Sequence, residues 1–120
     1  MSAAYALAKP KMMANEVDKL LKSGFSIDEL YKIVAPRRTL ARRKAANEPL
    51  STGEADRVFR LRSFSEDAER VFGDAEKAHR WMRKPCRALE GAVPIELLET
   101  EHGAFLLREE LVRIRHGMFV

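Results

Sequence analysis

Between residues 51 and 72 the apolar side chains Ala55, Val58, Phe59, Leu61, Phe64, Ala68, Val71 and Phe72 return at intervals of three and four. With 3.6 residues to a turn, that spacing gathers them on one stripe of an α-helix. Ser51, with Glu54 three positions on, forms a capping box in which each side chain satisfies an otherwise free amide of the first turn. Gly73 is a natural stop. A helix this long offers more apolar positions than one short neighbour can cover, so part of its stripe is expected at a homodimer contact.

Val17, Leu20 and Leu21 mark a short helix over 14–23, ended by Gly24. Ser26 and Glu29 make a second capping box ahead of Ile27, Leu30, Tyr31 and Val34. That helix should end at Ala35, because Pro36 disfavours helical geometry in the residue before it and suits the first turn of a new helix over 36–46. Asp74 caps a helix to about Arg83 that turns Ala78, Trp81 and Met82 inward, until Lys84-Pro85 breaks it. Pro94 opens a short turn through Ile95, Leu97 and Leu98, and Ala104, Leu107, Leu111 and Ile114 stripe a last helix over 103–116 that Gly117 closes. No run alternates with period two for long enough to build a sheet. The expected fold is all-α: a loose arm over 1–13, a helix-turn-helix region over 14–62 and a second helical region over 63–120.

Charge divides along the same line. Residues 1–50 hold ten Lys and Arg against five Asp and Glu, whereas residues 51–120 hold twelve against thirteen. Such asymmetry is expected when one portion meets a polyanion and the other meets protein. The basic surplus peaks on the helix that follows the tight turn: Arg37, Arg38, Thr39, Arg42, Arg43 and Lys44 crowd around a single large apolar residue, Leu40. In a helix-turn-helix the second helix enters the major groove, where arginine matches guanine O6 and N7 and both arginine and threonine hold phosphate. The bland alternative is a solvated cationic face, which usually mixes signs; this helix carries no acidic partner of its own. These six residues are therefore the candidate DNA contacts.

Other chemistries find little support. Cys86 is the one cysteine, so the chain can form no internal disulfide, and it reads as a packing residue. His79, His102 and His116 stand on three elements without metal-ligand spacing and read as surface or helix-end residues. Trp81 reads as core. The carboxylates Glu96, Glu99, Glu101, Glu109 and Glu110 join no nucleophile motif and no glycine-rich phosphate loop. No catalytic residue, metal or cofactor is expected, nor any membrane span or secretory leader, which points to the cytoplasm.

The ordered set of motifs resembles a known family. Gly24-Phe25, Arg37-Arg38-Thr39-Leu40-Ala41-Arg42-Arg43, Leu50-Ser51 and Ala55-Asp56-Arg57 are similar to the Xre-like helix-turn-helix part of antitoxins from RES-Xre toxin-antitoxin pairs, the ParS and MbcA types among them. Val71-Phe72-Gly73-Asp74, Ala78, Trp81, Met82, Pro85, Ala88-Leu89, Gly91, Pro94, Leu97-Leu98, Thr100-Glu101, Gly103-Ala104, Ile114 and Gly117 resemble their toxin-binding region in order and spacing. Two positions depart: Cys86 stands where the family usually has Asn, and Glu90 where it has a second Gly, both in one loop.

The resemblance implies a type II antitoxin that neutralises a RES-domain, NAD-consuming toxin encoded in the same operon. It also implies that the protein, in complex with the toxin, binds operator DNA to repress that operon; a helix-turn-helix of this size is expected to read two half-sites as a homodimer within that larger complex. The toxin-binding residues it suggests are Arg108, Arg113, Arg115, His116, Met118, Phe119 and Val120, with the cations and the apolar tail entering the toxin's NAD site. The residues by themselves leave open a plain transcription regulator with a helical dimerisation or sensing half, and an adaptor whose basic helix docks an acidic protein.

Overall fold

The computed structural model describes residues 11–118, without the side chain of Met118. Among the described residues six α-helices follow in order: α1 (Glu16–Lys22), α2 (Ile27–Ile33), α3 (Arg37–Ala45), α4 (Thr52–Phe72), α5 (Ala75–Met82) and α6 (Glu101–Met118). Two 3-10 turns, Arg87–Leu89 and Pro94–Glu99, lie between α5 and α6. Extended pairing among the described residues is limited to isolated bridges, Met13 with Pro49 and Cys86 with Ala92. The fold is all-α, as the periodicity demands.

Both capping boxes form. Ser26 accepts from the Glu29 amide and Ser51 from the Glu54 amide, and each glutamate returns a bond to the amide of its serine. Elsewhere the helix ends move. Pro36 sits outside α3 as its N-cap, with φ −58° and ψ 154°, not in the first turn. α2 closes at Ile33, so Val34 and Ala35 form a buried turn that joins it to α3. α6 begins at Glu101, where the Thr100 hydroxyl accepts the Gly103 amide at 3.0 Å. It then runs through Gly117 to Met118 rather than stopping, since a glycine inside a helix costs only about 1 kcal/mol and can be carried.

The stripe of α4 is the centre of the core. Val58, Leu61, Phe64 and Ala68 are at most 1% exposed. α5, α6, the second 3-10 turn and α1 all pack against this helix. Val17 and Leu20 cover it from α1, Ala78 and Met82 from α5, and Ala104, Leu107 and Leu111 from α6, each a buried member of one cluster. Fully burying a side chain of this size contributes roughly 1.5–3 kcal/mol. Phe59 departs from the expected stripe: one residue off Val58, it turns out of the core and is 62% exposed. Ile27 is exposed as well, at the start of α2. Trp81 is half-buried, its ring stacked on Phe64 at 6.4 Å and tilted on Phe72 at 5.4 Å.

Of the arm expected over 1–13, residues 1–10 lie outside the described residues, and the rest is pinned. The Leu50 amide donates to the Met12 carbonyl at 2.7 Å beside the Met13–Pro49 bridge, so the chain before α1 is laced to the segment before α4.

Glycine is required where α6 crosses the preceding turn. A Cβ on Gly103 would stand 2.1 Å from the Leu97 carbonyl oxygen, a distance no real contact tolerates. Glu90 shows the opposite situation, a non-glycine residue held left-handed at φ 59° in the Cys86–Ala92 loop. Gly103→Ala should therefore force α6 away from the second 3-10 turn and lower the melting temperature steeply. Glu90→Gly should raise it, because relief of a left-handed side chain is worth about 1 kcal/mol. Thermal denaturation followed by far-UV circular dichroism measures both.

Candidate functional site

The basic helix α3 is tethered by one leucine and by the ion pairs of Arg43 and Lys44. Leu40 is its sole buried side chain. Arg43 points back to the body, its Nε donating to Glu54 Oε1 at 2.6 Å and an Nη to Glu54 Oε2 at 3.1 Å, with Glu48 at 3.4 Å. Glu54 is buried and also holds the Ser51 amide at 2.8 Å. Burial pushes its carboxyl up, but the bonds from Arg43 and the Ser51 amide together outweigh this and hold it below the usual range. Lys44 reaches Asp18 on α1 at 2.7 Å. Two of the six candidate DNA contacts, Arg43 and Lys44, are thus engaged by the fold.

The other four behave differently. Arg37, Arg38 and Arg42 are exposed, Thr39 is half-buried, and none of the three arginines makes an ion pair among the described residues. Arg38 and Arg42 are four residues apart and share one side of the helix. No acidic residue occupies the first turn of α3. Arg37 and Arg38 therefore stand at the positive pole of the helix dipole, an unfavourable placement that an incoming anion relieves. The turn that sets α3 is fixed from α4, where Arg57 Nε donates to the Val34 carbonyl at 2.9 Å.

A polar joint connects this region to α5. Arg83 makes a two-pronged bond to Glu29 at 2.8 and 3.0 Å and donates to the Gly24 carbonyl at 2.6 Å. Beneath it His79 is 7% exposed, against the expectation of a surface or helix-end residue. It lies under Gly24 and Phe25, with ring centroids 4.9 Å apart, and Nε2 is 3.4 Å from Ser65 Oγ. Burial first, and the nearby Arg83 charge second, press the imidazole below its ordinary pKa. For Glu29, burial raises the carboxyl, while the bonds from Arg83 and the Ser26 amide combine to bring it lower than usual. These partners are 54 residues apart, and no local spacing announces them.

The C-terminal candidates lie along α6. Arg108 and Arg115 are exposed and line a groove of about 380 Å³ between α4 and α6, together with Asp67, Arg70, Val71, Leu111 and Val112. Arg113 turns to another side, bonded to Glu110 at 2.9 Å and bordering a hollow with Leu89, Leu97 and Leu106. His116 is exposed at the end of the helix. Met118 ends α6 without a described side chain, and Phe119 and Val120 lie outside the described residues. At the other end of α6, Arg60 from α4 bonds Glu101 at 2.6 Å and the Leu98 carbonyl at 2.9 Å. The structure thus divides the cations into a group on α3 and a group on α6.

The stretch that carries the second group has counterparts among known proteins. Residues 67–117 match the model of the antitoxin Xre/MbcA/ParS C-terminal toxin-binding domain. An antitoxin Xre of Pseudomonas putida is 39% identical over 84 residues, 70% of this chain and 53% of that protein, so the chain spans about half the length of that relative. An antitoxin Xre of Yersinia enterocolitica is 31% identical over 115 residues, 82% of this chain and 78% of that protein. A Sphingobium protein named Prs ADP-ribosylating antitoxin is 27% identical over 132 residues, 88% of this chain and 83% of that one.

The buried joint makes stability depend on pH in a defined direction. With the folded pKa of His79 below about 6.5, the unfolded chain takes up a proton that the folded chain refuses, so stability falls as pH drops through that value. The contributions of Glu29 and Glu54, with lowered pKa, are complete above about pH 4.3 and are lost below it. The melting temperature should fall between about pH 7.5 and 5.5 in the native chain and much less in His79→Gln, then fall in both at more acidic pH. Scanning calorimetry across this range checks the sign.

Proposed function

The chain belongs to the Xre antitoxin family, and from that premise we propose that it neutralises a RES-domain, NAD-consuming toxin through its C-terminal helices and represses its own operon through α3. What carries the reading is the match of residues 67–117 to a toxin-binding domain, a stretch that runs from the end of α4 through α6. Blocking the toxin by contact needs no reacting group on this chain.

DNA binding rests on α3. Arg37, Arg38 and Arg42 are the cations of α3 that make no ion pair among the described residues, with Thr39 beside them. Short helices joined by the buried Val34–Ala35 turn present this face as a helix-turn-helix does, its N-terminal end toward the base edges. Arg43 and Lys44 serve in this reading by fixing the angle of α3 rather than by touching bases. One short helix buries too little surface for specificity, so the operator complex contains two copies of the chain. Exposed Phe59 on α4 is an apolar position available to a homodimer contact. No helix among the described residues is long and apolar enough to cross a membrane.

Two measurements test the proposal. Arg38→Ala with Arg42→Ala should abolish binding to DNA from the chain's own promoter while leaving the melting temperature unchanged. Each lost phosphate contact should flatten the salt dependence by about one unit of slope, and each lost base contact should cost about 1–3 kcal/mol. Arg43→Ala should lower stability first. Fluorescence anisotropy with a salt titration distinguishes these outcomes, and unchanged promoter affinity in the double variant rules out the assignment. For the other half, co-expression with the toxin of the same operon should restore growth and cellular NAD, and wild-type chain that fails to protect refutes the antitoxin reading.

A further inference from the structure

The groove between α4 and α6 has a composition that specifies its occupant. Its walls carry three arginines, Arg70, Arg108 and Arg115, against one carboxylate, Asp67, and its apolar lining is Val71, Leu111 and Val112. Asp67 is committed to Arg70 on its own helix. The side chains of Arg108 and Arg115 make no hydrogen bond or ion pair among the described residues. They stand seven residues apart on α6, with Val112 between them and 53% exposed. Phe105, also 53% exposed, continues the same strip seven residues before Val112.

An arrangement of this kind is poor for an isolated surface. Like charges line one hollow, and an apolar side chain that could be buried is left wet. Both features are satisfied by one partner element, a segment that offers carboxylates to the guanidinium forks and an apolar side chain to the lining between them. We infer that this groove seats an acidic segment of the toxin, with carboxylates on Arg108 and Arg115 and an apolar residue over Val112. The inference rests on the antitoxin reading and says where on the domain the toxin docks and by what chemistry. All seven lining residues fall within the stretch matched to a toxin-binding domain, whose limits are Asp67 on α4 and Gly117 on α6. The groove is thus the place where the two ends of that domain meet. Arg113, which borders a different hollow, lies outside this docking site.

The test uses the full chain and the toxin purified from the same operon. Arg108→Glu with Arg115→Glu should weaken the complex about 100-fold, as expected when charge partners at a desolvated contact are reversed. Arg80→Glu with Arg87→Glu makes the same change in net charge elsewhere on the domain and should stay within a few-fold of wild type. Arg108→Lys with Arg115→Lys should recover part of the loss, because charge is restored but the two-pronged geometry is not. Circular dichroism confirms that each variant folds, and calorimetric titration at low and high salt gives the affinities. Equal weakening by the two charge-reversed pairs would mean that only overall charge matters and would overturn the groove. Wild-type affinity in Arg108→Glu with Arg115→Glu would overturn it too, leaving the antitoxin reading intact. Absence of any complex with wild-type chain would remove that reading and this inference together. If the same substitutions instead dissolve a homodimer without affecting the toxin complex, the groove holds a second copy of the chain and the inference is wrong.

Discussion

The buried stripe of α4 is the constraint on which everything else depends. Val58, Leu61, Phe64 and Ala68 are sealed, and the helices that seal them come from both sides of the chain, α1 from before it and α5 and α6 from after it. One helix therefore serves as a common wall for the region that carries the arginine cluster and for the region that carries the groove. The same helix contributes polar anchors at its flanks. Glu54 near its start holds Arg43, Arg57 holds the turn before α3, Arg60 holds the start of α6, and Asp67 and Arg70 near its end form one side of the groove.

This explains how a helix as weakly packed as α3 can have a fixed orientation. A single leucine does not determine how a helix is rotated about its axis. The Arg43–Glu54 and Lys44–Asp18 pairs do, because they attach two successive residues to two different helices. Isolated surface ion pairs contribute little to stability. Here Glu54 is buried and already bonded to the Ser51 amide, so the pair is directional, and its worth lies in geometry. Fixing α3 this way leaves Arg37, Arg38 and Arg42 on the surface.

The joint of Arg83, Glu29, Gly24 and His79 has the same character on the other face. Glu29 belongs to the capping box that starts α2, so the bond from Arg83 ties α5 to the very residue that defines where α2 begins. His79 fills the space beneath Gly24, where a Cβ would stand 3.2 Å from its ring. A change in the position of α5 would therefore be felt at α2, and through the buried Val34–Ala35 turn at α3.

The sequence by itself determined the helices, because caps, prolines and three-and-four spacing act over a few residues and need no partner. It also identified α3 as the basic element, since charge density is a local property, and the ordered motifs of the second half were enough to indicate the family. The tertiary structure decided which side chains are engaged and which are free. Arg43 and Arg42 are adjacent and chemically identical, yet one is bound to Glu54 and the other faces solvent, and the difference comes from a helix that begins beyond the loop between them. His79 looked like a helix-end residue and is buried, because Phe25 and Gly24 reach it from more than fifty positions away. Arg70 and Arg108 meet across a groove that no local pattern contains. Helix formation is local, whereas burial, ion pairing and the shape of a cleft are set by residues distant in the chain, and for these the sequence supplies the groups but not their neighbours.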